Sequence, residues 1–114
     1  MREKGDIIIG IDAGTSVLKA VAFDFSGRQI ESAAVRNTYV TGDHGAVTQS
    51  LAQTWQDCAR ALRDLGAKLP GLAQRTAAIA VTGQGDGTWL VGKDNRPVGD
   101  AWIWLDARAA STVT

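Results

Sequence analysis

The chain has 114 residues, 45% of them hydrophobic and 21% charged, with 12 Lys plus Arg against 12 Asp plus Glu. That length holds one small domain with a core of its own, and zero net charge excludes a broad basic face for nucleic acid. The single cysteine, Cys58, cannot close an internal disulfide, and one histidine beside it gives no cluster for zinc. The N-terminal stretch carries only three consecutive isoleucines, far short of a signal-peptide core or a membrane span. The expectation is a cytoplasmic protein with neither a nucleic-acid nor a membrane partner.

In chain order, Ile7-Ile8-Ile9-Gly10-Ile11 is a β-branched run that reads as a strand buried on both faces. Val17 to Phe25 reads as a second strand punctuated by Ser26-Gly27, and Gln29 to Arg36 returns as a third, giving an antiparallel meander. Asn37 to Val47, with Gly42, Asp43 and Gly45, reads as a loop holding a solvent-facing His44. The period then changes. Leu51, Trp55, Cys58, Leu62 and Leu65 form one stripe of an amphipathic helix from about Ser50 to Leu65. Ser50 and Gln53 have capping-box spacing, Gly66 suits the C-terminal stop, and Pro70-Gly71 breaks the chain. The stripe predicts Trp55 and Cys58 as packing residues rather than site residues.

Ala77 to Val81 predicts another buried strand, followed by the glycine-spaced loop Thr82 to Gly87. Thr88 to Val91 and Ala101 to Leu105 read as extended segments around a turn at Lys93–Arg96, and a helix is expected from about Asp106. Three strands, a crossover helix and further strands make an α/β layout whose later strand lies parallel to the first. The last residues, Ala109 to Thr114, carry no Gly or Pro stop, so the expectation is a piece of a longer protein.

Three segments suit chemistry. Asp12-Ala13-Gly14-Thr15-Ser16 lies between two strands: glycine lets main-chain N–H groups approach a phosphate, and the hydroxyls add donors. Asp12 suits Mg²⁺, directly or through water, and Lys19 suits phosphate charge. The same residues also suit an ordinary hairpin turn, and the residues alone leave both readings open. In the loop Gly83 to Gly87, three glycines in five positions leave Gln84 and Asp86 as the polar groups, and each can bond a sugar or polyol hydroxyl. Trp102 and Trp104 face one side of a strand, as core or as a sugar platform beside Asp106 and Arg108. An Arg108 salt bridge to Asp106 or Asp100 is the plain alternative.

Together and in this order, IGIDAGTSVLKAVAFD and VTGQGDGTWLVGKDNRPVGDAWIWLDARA resemble the N-terminal part of the FGGY carbohydrate kinases. The second stretch is similar to the family's SGQ-x-x-G, D-x-x-x-x-P and A-I-x-W-x-D-x-R motifs. The resemblance runs from Asp6 to Thr114 and implies the first part of a ribonuclease H/actin-like ATPase domain. It implies ATP and Mg²⁺ as cofactors, with Asp12 as the Mg²⁺-associated carboxylate, Gly14, Thr15 and Ser16 beside the phosphates, and Lys19 facing the transferring group. Gln84, Asp86, Trp104 and Asp106 match acceptor-side positions, with Arg108 beside them. GQGDG and DAWIWLDARA are most similar to the family's erythritol-phosphorylating members. Asp86 stands where many of its sugar kinases carry His, which favours a linear polyol over a ketose. Xylulose-, ribulose- or glycerol-type acceptors and a non-enzymatic binding fragment are the alternatives. The resemblance further implies that the family's catalytic aspartate and the ATP-binding second domain lie beyond residue 114. On that reading the 114 residues alone are inactive, and the longer parent takes a small polyol or sugar and is allowed to be a homo-oligomer.

Overall fold

The computed structural model describes residues 5–112. Its elements are β1 (Ile7–Ala13), β2 (Val17–Phe23), β3 (Gln29–Arg36), β4 (Val40–Thr41), β5 (Val47–Gln49), α1 (Leu51–Lys68), α2 (Leu72–Arg75), β6 (Thr76–Gly83) and β7 (Ala101–Trp102). The first three strands form the expected antiparallel meander, and β6 returns parallel to β1, so the main sheet runs β3-β2-β1-β6. The fold is the α/β arrangement that the order of strands and crossover helix implies.

A tight hairpin joins β2 to β3. The Asp24 carboxylate accepts from Ser26 Oγ at 2.6 Å, from Ser26 N at 2.9 Å and from Arg28 N at 3.0 Å. These bonds, the Ser26 hydroxyl first, favour the charged form and hold the Asp24 carboxyl down to about 2. Because its folded value lies below the ordinary 3.8, its contribution to stability is present above that value and is lost as pH falls toward 2. Asp24→Ala is therefore expected to lower urea stability at neutral pH and to make little difference near pH 2, checked by unfolding curves at both ends of that window.

The sheet is not buried on both faces, contrary to expectation. Ile7, Ile9 and Ile11 are buried, whereas Ile8 is 37% exposed. The buried face of β1, β2 and β3 (Leu18, Ala20, Ala22, Ala33 and Val35 among them) meets Ala61, Leu65 and Leu72. Small residues on β2 let the helix approach closely.

Helix α1 begins where expected, with Ser50 Oγ accepting from Gln53 N at 3.1 Å, but it runs through Gly66 to Lys68 and stops at Leu69, before Pro70. Its buried residues are Asp57, Ala61 and Leu65, with Cys58 and Leu62 partly buried at the flank. Burial pushes the Cys58 thiol up, in keeping with an inert packing residue. Trp55 is 73% exposed, which corrects the expectation that it packs. The reason is placement: α1 lies across β2 and β3 and leaves the side toward β6 uncovered. Leu65→Ala is expected to cost about 2–5 kcal/mol and Leu62→Ala less, since only the former is fully buried, measured by denaturant unfolding.

β6 is likewise an exposed edge rather than the buried strand its composition suggested, with Ile79 at 52% and Val81 at 69% exposure. An apolar edge strand with free main-chain groups invites association. The chain at high concentration is expected to self-associate, and Val81→Lys to reduce this, read by sedimentation velocity. A bidentate pair between Arg75 and Asp6, at 2.9 and 3.0 Å, ties the end of α2 to the start of β1.

The stretch expected as a loop from Asn37 to Val47 contributes β4 and a 3-10 turn at Asp43–Gly45, and leads into β5 of a second sheet, ordered β4-β5-β7. Thr88 to Val91 is no strand. Thr88 makes a single bridge to Trp102, and Val91 one to Pro97. The extended run after Ala101 ends at Trp102, and no α-helix starts at Asp106 among the described residues. Successive turns follow, with Ala110 N bonded to Ala107 O and Thr112 N to Ala109 O. Val113 and Thr114 lie outside the described residues. No described helix is long and apolar enough to cross a membrane.

Candidate functional site

Parallel pairing places Ala13 beside Gly83, so the loops leaving β1 and β6 start side by side at the carboxyl ends of two strands. Ligands of open α/β sheets bind in that crevice. The first start needs glycine and the second is tight around it. A Cβ on Gly14 would stand 2.7 Å from the Val17 carbonyl oxygen, and one on Gly83 would stand 3.0 Å from the Ala13 carbonyl oxygen. The two turns are thereby packed main chain against main chain.

Asp12 belongs to the face opposite α1, exposed, one residue beyond the buried Ile11. Its neighbours across the sheet are Lys19 on β2 and Thr82 on β6. An open cleft of about 380 Å³ lies above this row, lined by Asp12, Gly14, Thr15, Gly83, Gln84, Gly85, Asp86 and Trp104. Six of the residues singled out in the sequence therefore share one cleft: Asp12, Gly14, Thr15, Gln84, Asp86 and Trp104. Ser16 lies on the adjoining groove with Arg36 and Asn37, and Lys19 stands beside Asp12 without lining the cleft.

Asp86 has φ of 58°, a left-handed conformation that a non-glycine residue adopts at some cost and that Asp tolerates better than most. The flanking Gly85 has open space where a side chain would be. The loop thus presents one carboxylate to the cleft with little around it.

Trp104 Nε1 donates to Thr15 Oγ1 at 2.8 Å, and Thr15 Oγ1 donates to Gln84 Oε1 at 3.3 Å. The hydroxyl that the sequence offered to a phosphate is thus engaged within the chain. Trp104 is 53% exposed and Trp102 47%, so neither is a core residue; Ile103 between them is the buried one.

Asp106 and Arg108 are elsewhere. Asp106 accepts from Val47 N at 2.8 Å, from Arg108 N at 3.0 Å and from Arg108 Nη2 at 2.7 Å. The Arg108 guanidinium, and then those main-chain bonds, hold its carboxyl well below the usual carboxylate range. Arg108 also stacks over the Trp102 ring, 3.3 Å from its centroid. Neither residue lines the cleft. The pair fastens the segment after β7 to β5, the plain salt bridge that the spacing allowed.

Two residues escaped the sequence reading. Asn37, 2% exposed, donates from Nδ2 to Gly14 O at 3.2 Å and from its main-chain N to Ser16 O at 2.8 Å, so it clamps the glycine turn from the end of β3. Gln49, 1% exposed, donates from Nε2 to Thr15 O at 2.9 Å. The available signal was alternation: Gln49 falls two residues after Val47, a polar side chain at an inward position of a short strand.

Among the described residues, no group of three or more His, Cys, Asp or Glu could hold a metal ion as a cage. A Mg²⁺ carried by phosphates needs only one or two carboxylates and keeps its waters, and the exposed Asp12 fits that demand.

Comparison with known proteins identifies the family. Residues 7–114 match the model of the FGGY family of carbohydrate kinases, N-terminal domain. The chain is 32% identical over 106 residues to a probable L-xylulose kinase of Haemophilus influenzae, covering 92% of this chain and 22% of that protein. It is 31% identical over 110 residues to a glycerol kinase of Alcanivorax borkumensis, covering 92% and 21%. Its fold overlays a crystal structure of a xyloylose kinase from Brucella ovis with a TM-score of 0.86 at 26% identity, over 90% of this chain and 22% of that one. The chain thus spans about a fifth of the length of the relatives it matches. With a family match that runs over residues 7–114, the chain belongs to the FGGY family of carbohydrate kinases.

Proposed function

We propose that this chain forms the first part of an ATP-dependent kinase that phosphorylates a small linear polyol, with erythritol as the favoured acceptor. One observation carries the reading: a single cleft joins the Asp12–Thr15 turn to Gln84, Asp86 and Trp104. Phosphoryl transfer asks the protein chiefly for positioning and charge neutralisation. Asp12 would hold Mg²⁺ through its waters, and Mg²⁺ would neutralise charge on the phosphates of ATP. The main-chain N–H groups of the glycine turn and the Ser16 hydroxyl remain as donors to phosphate oxygens, with Lys19 adding positive charge on the same face. On the other side, Asp86 and Gln84 accept and donate to acceptor hydroxyls, and the Trp104 ring covers C–H faces. By the family resemblance, the aspartate that takes the acceptor proton, and the domain that closes over ATP, come from sequence beyond residue 114.

A ketose or glycerol acceptor is the second reading, favoured by the names of the relatives at 32% and 31% identity. Against a ketose stands Asp86, which by the family resemblance occupies a position where many of the sugar kinases carry His. In the protein carrying this chain, Asp86→Ala is expected to lower kcat/KM for the polyol about 5- to 150-fold, the equivalent of about 1–3 kcal/mol for a lost partner. The KM for ATP should change little. Equal losses for polyol and ATP, or higher turnover of xylulose or glycerol than of erythritol by the unaltered protein, would count against the assignment.

A further inference from the structure

Five hydrogen bonds run through the interior edge of the cleft in one direction. Gln49 Nε2 faces two main-chain carbonyl oxygens, Thr15 O at 2.9 Å and Thr38 O at 3.2 Å. Carbonyls only accept, so the Gln49 amide must turn its NH₂ toward them and its oxygen toward Gln84. Gln84 Nε2 donates to that oxygen at 2.7 Å, which leaves Gln84 Oε1 to accept from the Thr15 hydroxyl at 3.3 Å. The Thr15 oxygen, its proton so committed, accepts from the Trp104 indole N–H at 2.8 Å, and an indole is a donor only. Every orientation in the chain follows from the two carbonyls at one end and the indole at the other.

We propose that Gln49 is a positioning residue, one that sets the amide orientation of Gln84 and the ring position of Trp104 and ties both to the Gly14–Thr15 turn. It touches neither side of the cleft opening itself: it lies on β5 of the small sheet, 1% exposed, and is not among the cleft's lining residues. Its effect on any ligand is exerted through Thr15, Gln84 and Trp104, which do line the cleft. The ring Thr15 main chain, Gln49, Gln84, Thr15 side chain closes on itself, so Gln84 and Trp104 take their positions from the Gly14–Thr15 turn, which Asn37 also holds through Gly14 O without Gln49. Low local dielectric and mutual polarisation strengthen such a chain only when every member is satisfied, and no buried side-chain polar atom lacks a partner among the described residues.

The consequence for catalysis rests on the kinase reading, whereas the positioning itself does not, and the test separates the two. Gln49→Met keeps side-chain length and removes all three of its bonds. With indole-¹⁵N tryptophan, the Trp104 N–H (assigned by its loss in Trp104→Phe) is expected to exchange with solvent about tenfold faster in Gln49→Met, the protection of roughly one hydrogen bond. Main-chain amides of β1, β2 and α1 should keep their protection. Unchanged Trp104 exchange overturns the proposal. If Gln49→Met does not fold, Gln84→Met cuts the same chain from its half-buried side and must give the same acceleration; a still-protected Trp104 there overturns it equally. In the kinase carrying this chain, Gln49→Met should lower kcat/KM for the acceptor about tenfold while the KM for ATP moves by about twofold or less. Equal effects on ATP and acceptor would mean a merely structural role and overturn it. Should the unaltered protein phosphorylate no polyol or sugar, the functional reading fails, and the exchange measurement still decides Gln49.

Discussion

The chain of 114 residues, purified by itself, is expected to release no ADP from ATP in the presence of erythritol, xylulose or glycerol. Transfer needs a carboxylate aligned on the acceptor oxygen, donors around the transferring group, and a cleft that excludes water. The described residues supply one wall of a cleft, open to solvent and lined by Asp12 and by Asp86 of an exposed loop. Asp86 flanks the acceptor hydroxyls in our reading, and Asp12 is committed to Mg²⁺, so neither is left to take the acceptor proton. In the protein carrying this chain together with an ATP-binding domain, Asp12→Ala is expected to reduce kcat by about 100- to 1,000-fold, the scale of losing one fixed electrostatic stabiliser of the transition state. A coupled assay for ADP reads both results. Acceptor-dependent ADP release by the short chain that Asp12→Ala abolishes would show that these residues suffice.

Gly14→Ala is expected to be the most damaging single-methyl change in the chain. Its Cβ would sit 2.7 Å from the Val17 carbonyl oxygen, main chain that belongs to β2 and cannot rotate away. Overpacking of this kind costs about 1–3 kcal/mol. At about 4–8 °C per kcal/mol for a domain of this size, the drop in Tm is large enough to measure directly. The turn would also have to move, and Asn37 and Gln49, which hold Gly14 O and Thr15 O, would lose their geometry with it. Nucleotide affinity in the protein carrying this chain should therefore fall as well. Gly85→Ala is the control. A Cβ there meets nothing within 4 Å, so its Tm should stay close to that of the unaltered chain. Equal Tm shifts for the two substitutions would contradict the packing argument.

The elements legible in the sequence are those whose signal is local. The β-branched run that starts at Ile7, the Ser26-Gly27 turn and the Ser50 cap each rest on residues within a few positions of one another, and each element is found where it was expected, with the run buried on one face instead of two. The glycines at 14 and 83 were legible as turn positions, with the choice between a plain turn and a ligand-facing one left open by the residues alone. The crevice they form needed only the parallel return of β6.

What the local signals could not convey is which face finds a partner. Trp55 sits on the helical stripe yet is exposed because α1 lies over β2 and β3, and β6 reads as buried yet stands at the edge. Asp106 and Arg108 looked like acceptor residues, but Val47 N and their mutual pairing use the carboxylate. Thr15 looked like a phosphate donor, but its proton goes to Gln84. By itself, then, the sequence determined the meander, the crossover helix and the two glycine turns, because periodicity and turn chemistry are decided over a few residues. Only the tertiary structure decided that Gln49, Gln84, Thr15 and Trp104, drawn from four separate segments, form one directional hydrogen-bond chain. A donor's partner depends on which distant acceptor the fold brings within about 3 Å, and no spacing along the chain records that.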